Sequence, residues 1–361
     1  MKFIFIIQGE GRGHLTQALS LKQLLEENGH TVLEILIGKS KQRIIPDFFY
    51  TKSNCYVTHF EEPNFAKDKK NKGVNNFKTI FNILFKIRQY KKSIDIVKER
   101  VDLLKPDAII NFYSFIGGLY NINPDLKIPF YCIGHQYLFL HSNYNISVKN
   151  SWWKRISLNI ATKITSINAT KKLALSFYEL ENDVKKNVYV IPPLLRKEIV
   201  SQKSITGQFF LCYVLNDGYV NEIKNWHKQF NNIELHIFSD GIYEKDDVEL
   251  QKNLYWHKIN DEKFIKYLTN CKGFASTAGF ESICEAMYLN KPVLLVPTAN
   301  HIEQEYNSFD AIKTGNGIRS DSFNIENLIY FSNNYTSDYK FKNWINSNKL
   351  EILKHITKNN S

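Results

Sequence analysis

Apolar residues recur along this chain in two alternating rhythms. Short continuous runs mark buried strands, and three-to-four spacing marks amphipathic helices. Residues 2–7 are a continuous apolar run after Lys2, followed by Gly9-Glu10-Gly11-Arg12-Gly13-His14. A helix is predicted over residues 14–28, with Leu15, Ala18, Leu19, Leu21, Leu24 and Leu25 on its inner face and Gly29 closing it. Residues 32–37 make a second strand, so the chain opens as β-loop-α-β, the start of a doubly wound α/β domain. A third strand is expected at 55–60, a polar and mobile loop at 61–76 and one long helix at 77–104. Strands then follow at 108–112 and 130–133, and a loop-to-helix turn at 114–120. Residues 152–169 read as a helix, and 173–176 and 188–191 as strands.

Pro192-Pro193 and the polar residues 197–207 break the pattern and read as a linker. The alternation then restarts, with strands at 209–215, 234–238 and 253–256 and helices at 221–230, 261–270 and 301–314. Asp246-Asp247 reads as a solvated pair in a charged turn. Residues 324–358 read as two helices with a polar tail. The expected fold class is α/β with two Rossmann-like doubly wound domains. Their bounds are 1–195 and 208–336, with a linker at 196–207 and a final segment at 337–361.

Composition supports this and narrows the chemistry. A chain of 361 residues with 43% hydrophobic content can fill two cores. It contains no apolar run of about 18 residues, so no transmembrane helix is expected. The apolar N-terminus is too short for a signal peptide and leads into glycines rather than a cleavage site. Five scattered cysteines without a CxxC fit reduced thiols in a cytosolic protein and argue against a metal site. The formal charge of +11 admits an anionic partner. No recognised nucleic-acid module accompanies it, so nucleic acid is not an expected partner.

Residues 274–297 carry the most chemistry. A short strand runs into Ser276, Thr277, Ala278 and Gly279, which let a ligand approach the backbone. A helix follows with Phe280, Ile283, Cys284 and Met287 apolar, Pro292 ends it, and Val293-Leu294-Leu295-Val296 is a buried strand. A glycine turn opening a helix after a parallel strand suits an anion, because amides and the positive helix end both point at it. Glu285 lies about one and a half turns into the helix, at a depth suited to a ribose hydroxyl; a surface salt bridge is the plainer alternative. The first glycine loop lacks the GxGxxG of a dinucleotide site, since position 14 is histidine. Glu34 on strand two is the one acid that could mimic a ribose ligand there.

These residues resemble the glycosyltransferases of the GT-B fold, of the family 28 and family 1 type. The likeness rests on Gly9-x-Gly11-x-Gly13-His14 and on Gly134-His135-Gln136. It rests most specifically on Ser276-x-x-Gly279-Phe280-Glu281-Ser282 with Glu285-Ala286, Lys291-Pro292 and His301-x-Glu303-Gln304-Glu305-x-Asn307. The resemblance implies two domains facing across a cleft, with a final helix crossing back to the first domain. It implies a nucleotide-sugar donor, most often a UDP-sugar, on the second domain and a hydroxyl acceptor on the first. Such enzymes usually use neither metal nor cofactor. Gly279 then matches the diphosphate glycine, with Ser276, Thr277 and Ala278 as the turn and the amides of Phe280, Glu281 and Ser282 toward phosphate. Glu285 matches the ribose glutamate, Lys258-Ile259 the backbone facing the base, and Glu303, Gln304 and Asn307 the sugar contacts. Asn216, in Leu215-Asn216-Asp217-Gly218, stands where the family often has a Gly-Gly-Ser-like turn, a departure for the phosphate contacts there.

On the acceptor side the resemblance points to Gly11, Arg12, Gly13, His135 and Gln136. His14 is the candidate general base: a helix N-terminus disfavours imidazolium, and a base must be neutral near pH 7. Its alternatives are positioning the acceptor or phosphate, or capping the helix. The expected setting is cytoplasmic synthesis of a cell-envelope or surface glycan, with a glycan or lipid-linked acceptor. The basic helix near Phe81 and Trp152-Trp153-Lys154-Arg155 would suit an anionic membrane surface. A nucleotide-sugar epimerase and a non-catalytic nucleotide-sugar binder remain open.

Overall fold

A computed structural model describes residues 1–39, 45–63, 87–123, 125–144, 146, 152–214, 217–241, 243, 245–336 and 339–357. The chain divides into two compact units, Met1–Arg196 with Ile345–Ser361, and Lys197–Trp344.

The first unit is built on a seven-stranded sheet of β1 (Lys2–Gln8), β2 (Thr31–Lys39), β3 (Tyr56–Glu61), β4 (Ala108–Phe112), β5 (Phe130–Gly134), β6 (Lys171–Leu175) and β7 (Val188–Ile191). The order is β3-β2-β1-β4-β5-β6-β7, and every pairing is parallel. Phe3 to Ile7 are wholly buried, as a strand covered on both faces requires. The helices are α1 (Arg12–Glu27), α2 (Asp47–Ser53), α3 (Ile87–Leu104), α4 (Phe115–Tyr120) and α5 (Trp152–Thr165). The order reverses between β1 and β4, and a doubly wound sheet opens a crevice at such a point.

The second unit repeats the plan with α6 (Lys197–Val200), β8 (Phe210–Tyr213), α7 (Asp217–His227), β9 (Leu235–Ser239), β10 (Asp247–Gln251), β11 (Leu254–Lys258), α8 (Asp261–Asn270), β12 (Gly273–Ser276), α9 (Phe280–Tyr288), β13 (Val293–Leu295), α10 (Ile302–Ala311), β14 (Gly317–Arg319), α11 (Ile325–Asn333) and α12 (Lys340–Ser347). Its sheet order is β10-β11-β9-β8-β12-β13-β14, with the reversal between β8 and β12. Val214, Val220, Ile237, Trp256 and Leu294 lie in its core. Helix α13 (Glu351–Ile356) returns to the first unit. There Lys171 Nζ donates to the His355 carbonyl at 3.3 Å and the His355 ring lies 4.9 Å from that of Tyr189.

Several expectations are corrected. The Asp246-Asp247 pair is solvent-exposed as expected, but it does not lie wholly in a turn: Asp247 begins β10, an antiparallel edge strand on β11. There it accepts from His257 and pairs with Lys263, while Asp246 pairs with Lys258. Residues 324–358 hold three helices rather than two, and α2 and β14 went unread. Glu34 is no ribose ligand. It is fully buried within β2, gripped by Arg100 at 2.7 and 2.9 Å and by the Thr58 hydroxyl. Of the stretch read as a linker, residues 197–207 belong to the second unit, where Ile205 N donates to Thr269 O at 3.1 Å. Buried Lys291 donates to the carbonyls of Ile205 at 2.7 Å and Cys271 at 2.9 Å. Of the long helix expected at 77–104, the part before residue 87, Phe81 included, lies outside the described residues.

Candidate active site

In the second unit the site grows from the end of β12. Ser276, Thr277 and Ala278 are buried, and Gly279 is the N-cap of α9 with extended backbone (φ −77°, ψ 132°). The Gly279 amide donates back to the Thr277 carbonyl, which folds the turn tightly. Gly279, the N-cap, has no side chain with which to cap α9. The turn therefore presents a helix N-terminus at the reversal point, where the partial positive charge of the helix is greatest. A β-carbon at Gly279 would meet only the Thr277 carbonyl oxygen, at an ordinary 3.5 Å. The glycine is thus not required by packing.

Phe280 is buried at the helix start, while Glu281 and Ser282 are half-buried. Glu285 is 3% exposed, a turn and a half along the same helix. Behind the turn, Asn307 of α10 is 1% exposed and its amide donates to the Ala278 carbonyl at 3.0 Å. Its Oδ1 is buried without a hydrogen bond to any described residue, an acceptor left for a hydroxyl donor. Gln304 accepts from the Thr298 amide at 2.8 Å, and so braces the loop between β13 and α10. Glu303 is half-buried on the first turn of α10. Of the three side chains expected around a sugar, then, two support the turn and its loop. Lys258 N already donates to the Asp246 carbonyl at 2.8 Å, so of the Lys258-Ile259 backbone only the part beyond that amide can face a base. Asn216 lies outside the described residues.

In the first unit the corresponding pieces are the loop after β1 and the turn after β4. Gly11 is the N-cap of α1, which begins two residues earlier than expected and places Arg12, Gly13 and His14 in its first turn. His14 is buried, and its ring stacks on that of Tyr113 with centroids 5.7 Å apart and 19° between planes. Its Nδ1 makes no hydrogen bond of normal geometry to a described residue. Burial lowers the His14 pKa to about 4, against a weaker opposing pull from Gln17 one turn along. The imidazole is therefore neutral at physiological pH, chiefly through desolvation rather than the helix end.

Tyr113 sits in the left-handed region (φ 59°), uncommon for a bulky residue. Its hydroxyl lies 2.8 Å from that of Thr162. Glu62 holds the turn that follows. Its carboxyl accepts from the Ser114 hydroxyl at 2.9 Å and from the amides of Phe115 at 2.6 Å and Ile116 at 3.4 Å. Burial pushes the Glu62 pKa up to about 8, while the Ser114, Phe115 and Ile116 hydrogen bonds pull it down and Glu10 adds a small push upward. Gly38 is needed here, because a β-carbon would collide with this carboxyl.

His135 is 1% exposed, and its Nδ1 donates to the Leu175 carbonyl at 2.7 Å. Its ring packs against Phe139 and Phe177. The structure thus places His135 inside the first unit, with Gln136 beside it nearly as buried. The two share a 3₁₀ turn with Tyr137, whose ring meets Tyr113 edge-on at 5.7 Å. Tyr113 and Glu62 are the residues the sequence did not single out. Glu62 falls in a stretch read as a polar, mobile loop, and a tyrosine at positive φ carries no sequence signal.

Solved structures share this architecture over nearly the whole chain. A Phytolacca americana UGT2 complexed with UDP-2fluoro-glucose and pterostilbene superposes with a TM-score of 0.62 at 12% identity, covering 99% of each chain. Arabidopsis thaliana UGT89C1 complexed with UDP gives 0.62 at 16% identity, with 98% and 96% covered. Acinetobacter baumannii MurG gives 0.57 at 13% identity, with 99% and 100% covered. Two Rossmann-like units and a returning C-terminal helix in this arrangement define the GT-B fold. A Methanosarcina acetivorans protein described as an uncharacterized glycosyltransferase is 23% identical over 346 residues, 88% of this chain and 83% of its own length. Residues 1–334 match glycosyl transferase family 1, and the chain belongs to that family. It is a GT-B enzyme that transfers a sugar from a nucleotide-sugar donor to an acceptor.

Proposed function

We propose that the donor is a UDP-sugar carrying a hexose or N-acetylhexosamine, that the acceptor is a hydroxyl group, and that the product enters a cell-envelope or surface glycan. The observation that carries the donor half is the N-terminus of α9 at the reversal point, opened by a glycine N-cap, Gly279. Amides and helix end there suit a diphosphate leaving group without a metal. Glu285 is assigned to the ribose hydroxyls, and Asn307 Oδ1 to a hydroxyl of the sugar. The UDP-bound relatives support the choice of nucleotide.

His14 is assigned the base role on the first unit. As the acceptor oxygen attacks the anomeric carbon, the neutral imidazole takes its proton. The bond from that carbon to the diphosphate oxygen breaks, and the diphosphate leaves with the electron pair. Stacking on Tyr113 both orients the ring and keeps water from it, which maintains the neutral form.

A thermal-shift screen over nucleotides and nucleotide-sugars tests the donor. A ligand at roughly 100 times its Kd adds about 2.7 kcal/mol of stability, and UDP and one UDP-sugar should stand out. No shift with any uridine nucleotide would overturn the proposal. Incubating the shifting UDP-sugar without acceptor separates transfer from epimerisation, since only an epimerase converts it. Tight UDP binding with no turnover on any hydroxyl acceptor would leave a binding protein.

A further inference from the structure

Four titratable side chains of the second unit form one hydrogen-bonded line. Side chains alternate along a strand, so His236 and Phe238 of β9 share a face with Tyr255 and His257 of β11. The parallel register sets Tyr255 beside His236 and Phe238 beside His257, which makes the two histidines diagonal neighbours. The antiparallel register of β10 puts Asp247 opposite His257. Glu234 Oε1 lies 2.9 Å from His236 Nε2, His236 Nδ1 lies 2.8 Å from His257 Nε2, and His257 Nδ1 lies 2.7 Å from Asp247 Oδ1. Both histidines are buried, while Glu234 and Asp247 lie exposed at the two ends. Helix α8 packs over this face. Its Tyr267 ring is 4.7 Å from His236 and 5.0 Å from His257, and its Lys263 ammonium bonds to Asp247. Phe209 and Tyr255 each lie 4.9 Å from His236, and Phe238 lies 4.9 Å from His257. The charged and titratable groups facing the pair are therefore Glu234, Asp247, Lys263, Tyr255 and Tyr267.

The protons in this line can be counted. Each of the three contacts has hydrogen-bond length and needs one proton between its two atoms. An ionised carboxylate brings none and a neutral imidazole brings one. Four residues thus bring two protons to three hydrogen bonds. The Lys263 ammonium, and after it His257, hold Asp247 below the usual carboxylate range, so His257 Nδ1 donates to it. His257 Nε2 then accepts from His236 Nδ1. The lone pair of His236 Nε2 is left facing the Glu234 carboxylate, and that contact closes only when His236 gains a second proton. Burial pulls both histidines below the ordinary 6.5; Glu234 and Asp247 pull the other way, and Lys263 works with burial. Near neutral pH the line is therefore one proton short.

We propose that His236 and His257 form a one-proton switch: on acidification the pair takes up a single shared proton, and this proton fastens Glu234 to the start of β9. Without it Glu234 turns to water, and Asp247 alone ties the pair to a carboxylate. A second proton has no place, because two imidazolium N–H groups would then point at each other across 2.8 Å. The folded pair binds its proton less readily than the unfolded chain does. The stability it contributes is present above about pH 6.5 and is lost as pH falls through the folded transition. This proposal stands independently of the donor and acceptor assignments, because its readouts are protonation and stability rather than turnover.

The test is a pH titration of the intact chain by nitrogen NMR of the histidine rings, with His236→Gln and His257→Gln to assign the signals. At pH 8 both rings should carry their proton on Nδ1. On acidification both should respond to one transition below 6.5, with one proton taken up between them. Glu234→Gln is the sharper probe, because its amide N–H donates to His236 Nε2 and supplies the missing proton at neutral pH. It should raise the melting temperature at pH 7.5 by about 1–3 °C, the scale of one added hydrogen bond. It should also move the shared transition about one unit or more further to acid, since a neutral amide replaces the carboxylate. Glu234→Ala removes the contact without offering a donor. It should move the transition in the same direction with no gain in melting temperature. Two protons taken up independently near 6.5, or a transition unmoved in both Glu234 variants, would overturn the proposal. So would a Glu234→Gln chain no more stable at pH 7.5 than Glu234→Ala.

Discussion

The turn after β4 and the turn after β12 occupy the same place in two copies of one sheet plan, and they have been finished in opposite ways. Each follows the strand beside the order reversal, and each opens a helix. In the first unit, Ser114 caps α4, and Glu62 accepts from the Ser114 hydroxyl and the next two amides. The donors that would greet an anion are already spent on a carboxyl from the same chain. In the second unit, the N-cap of α9 is Gly279, which brings no side chain to the helix end. Repeated topology thus supplies two helix ends of the same kind, and in the first unit a buried glutamate from the same chain already occupies one. The first unit uses its turn to present Tyr113 to His14 instead.

That contrast can be tested from both sides. The largest effect is expected at the residue the first turn supports: His14→Ala should lower kcat by roughly 10²–10⁴-fold with donor binding intact, and near-normal turnover would remove the base role. Next, Gly279→Asp would give α9 the carboxylate that α4 already meets. The β-carbon fits and the backbone is extended, so the fold should hold or gain about 1 kcal/mol from the cap. UDP affinity should fall on the order of 100-fold, because two anions then compete for one helix end. A calorimetric titration that finds UDP binding unchanged would break the comparison outright.

Glu285→Ala should raise the Kd for UDP by about 10-fold, the scale of a lost hydrogen bond to a charged group, with little change for pyrophosphate alone. Tyr113→Leu keeps bulk but removes the stack. The His14 pKa, read by NMR, should climb from about 4 toward the ordinary 6.5. The acid limb of kcat/KM should move up with it, since the base works only when neutral.

A different kind of effect is on stability. Glu62 has a folded pKa of about 8 against 4.5 for the unconstrained group. Between those values the folded state holds a proton that the unfolded chain has released, so stability falls as pH rises through the window. The contribution is complete below about 4.5 and gone above about 8. Glu62→Gln cannot ionise, so the urea midpoint of the wild type relative to this variant should decline across that range. A constant difference would show that Glu62 is ionised throughout.

Much of this was legible in the sequence because it follows from period and punctuation. The apolar runs of β1 and β13 and the 274–297 stretch announce themselves, since strands buried on both faces are built mostly of apolar residues. The glycine turn before α9 is readable for the same reason: what matters there is backbone. The sequence was silent where long-range pairing decides. Glu34 looks like a ligand until Arg100, 66 positions away, is seen to neutralise it. Nothing near His135 in sequence shows that its Nδ1 donates to the Leu175 carbonyl, 40 positions away. Glu62 reads as part of a polar loop until its neighbours fold over it. Edge strand β10 was missed because its alternating acids and apolar residues pair only with β11.

Lys291 has a practical consequence for taking the molecule apart. Its buried ammonium holds residue 205 against residue 271, so a fragment begun at 208 discards one of the two carbonyls that receive that charge. Cut instead before Lys197, the second unit keeps its clasp. The first unit, in turn, lacks Ile345–Ser361 unless that tail is supplied as a separate peptide or joined to it by a new linker. Hybrids that exchange second units between related enzymes should therefore place the seam at 196/197 and at 344/345, two cuts rather than one.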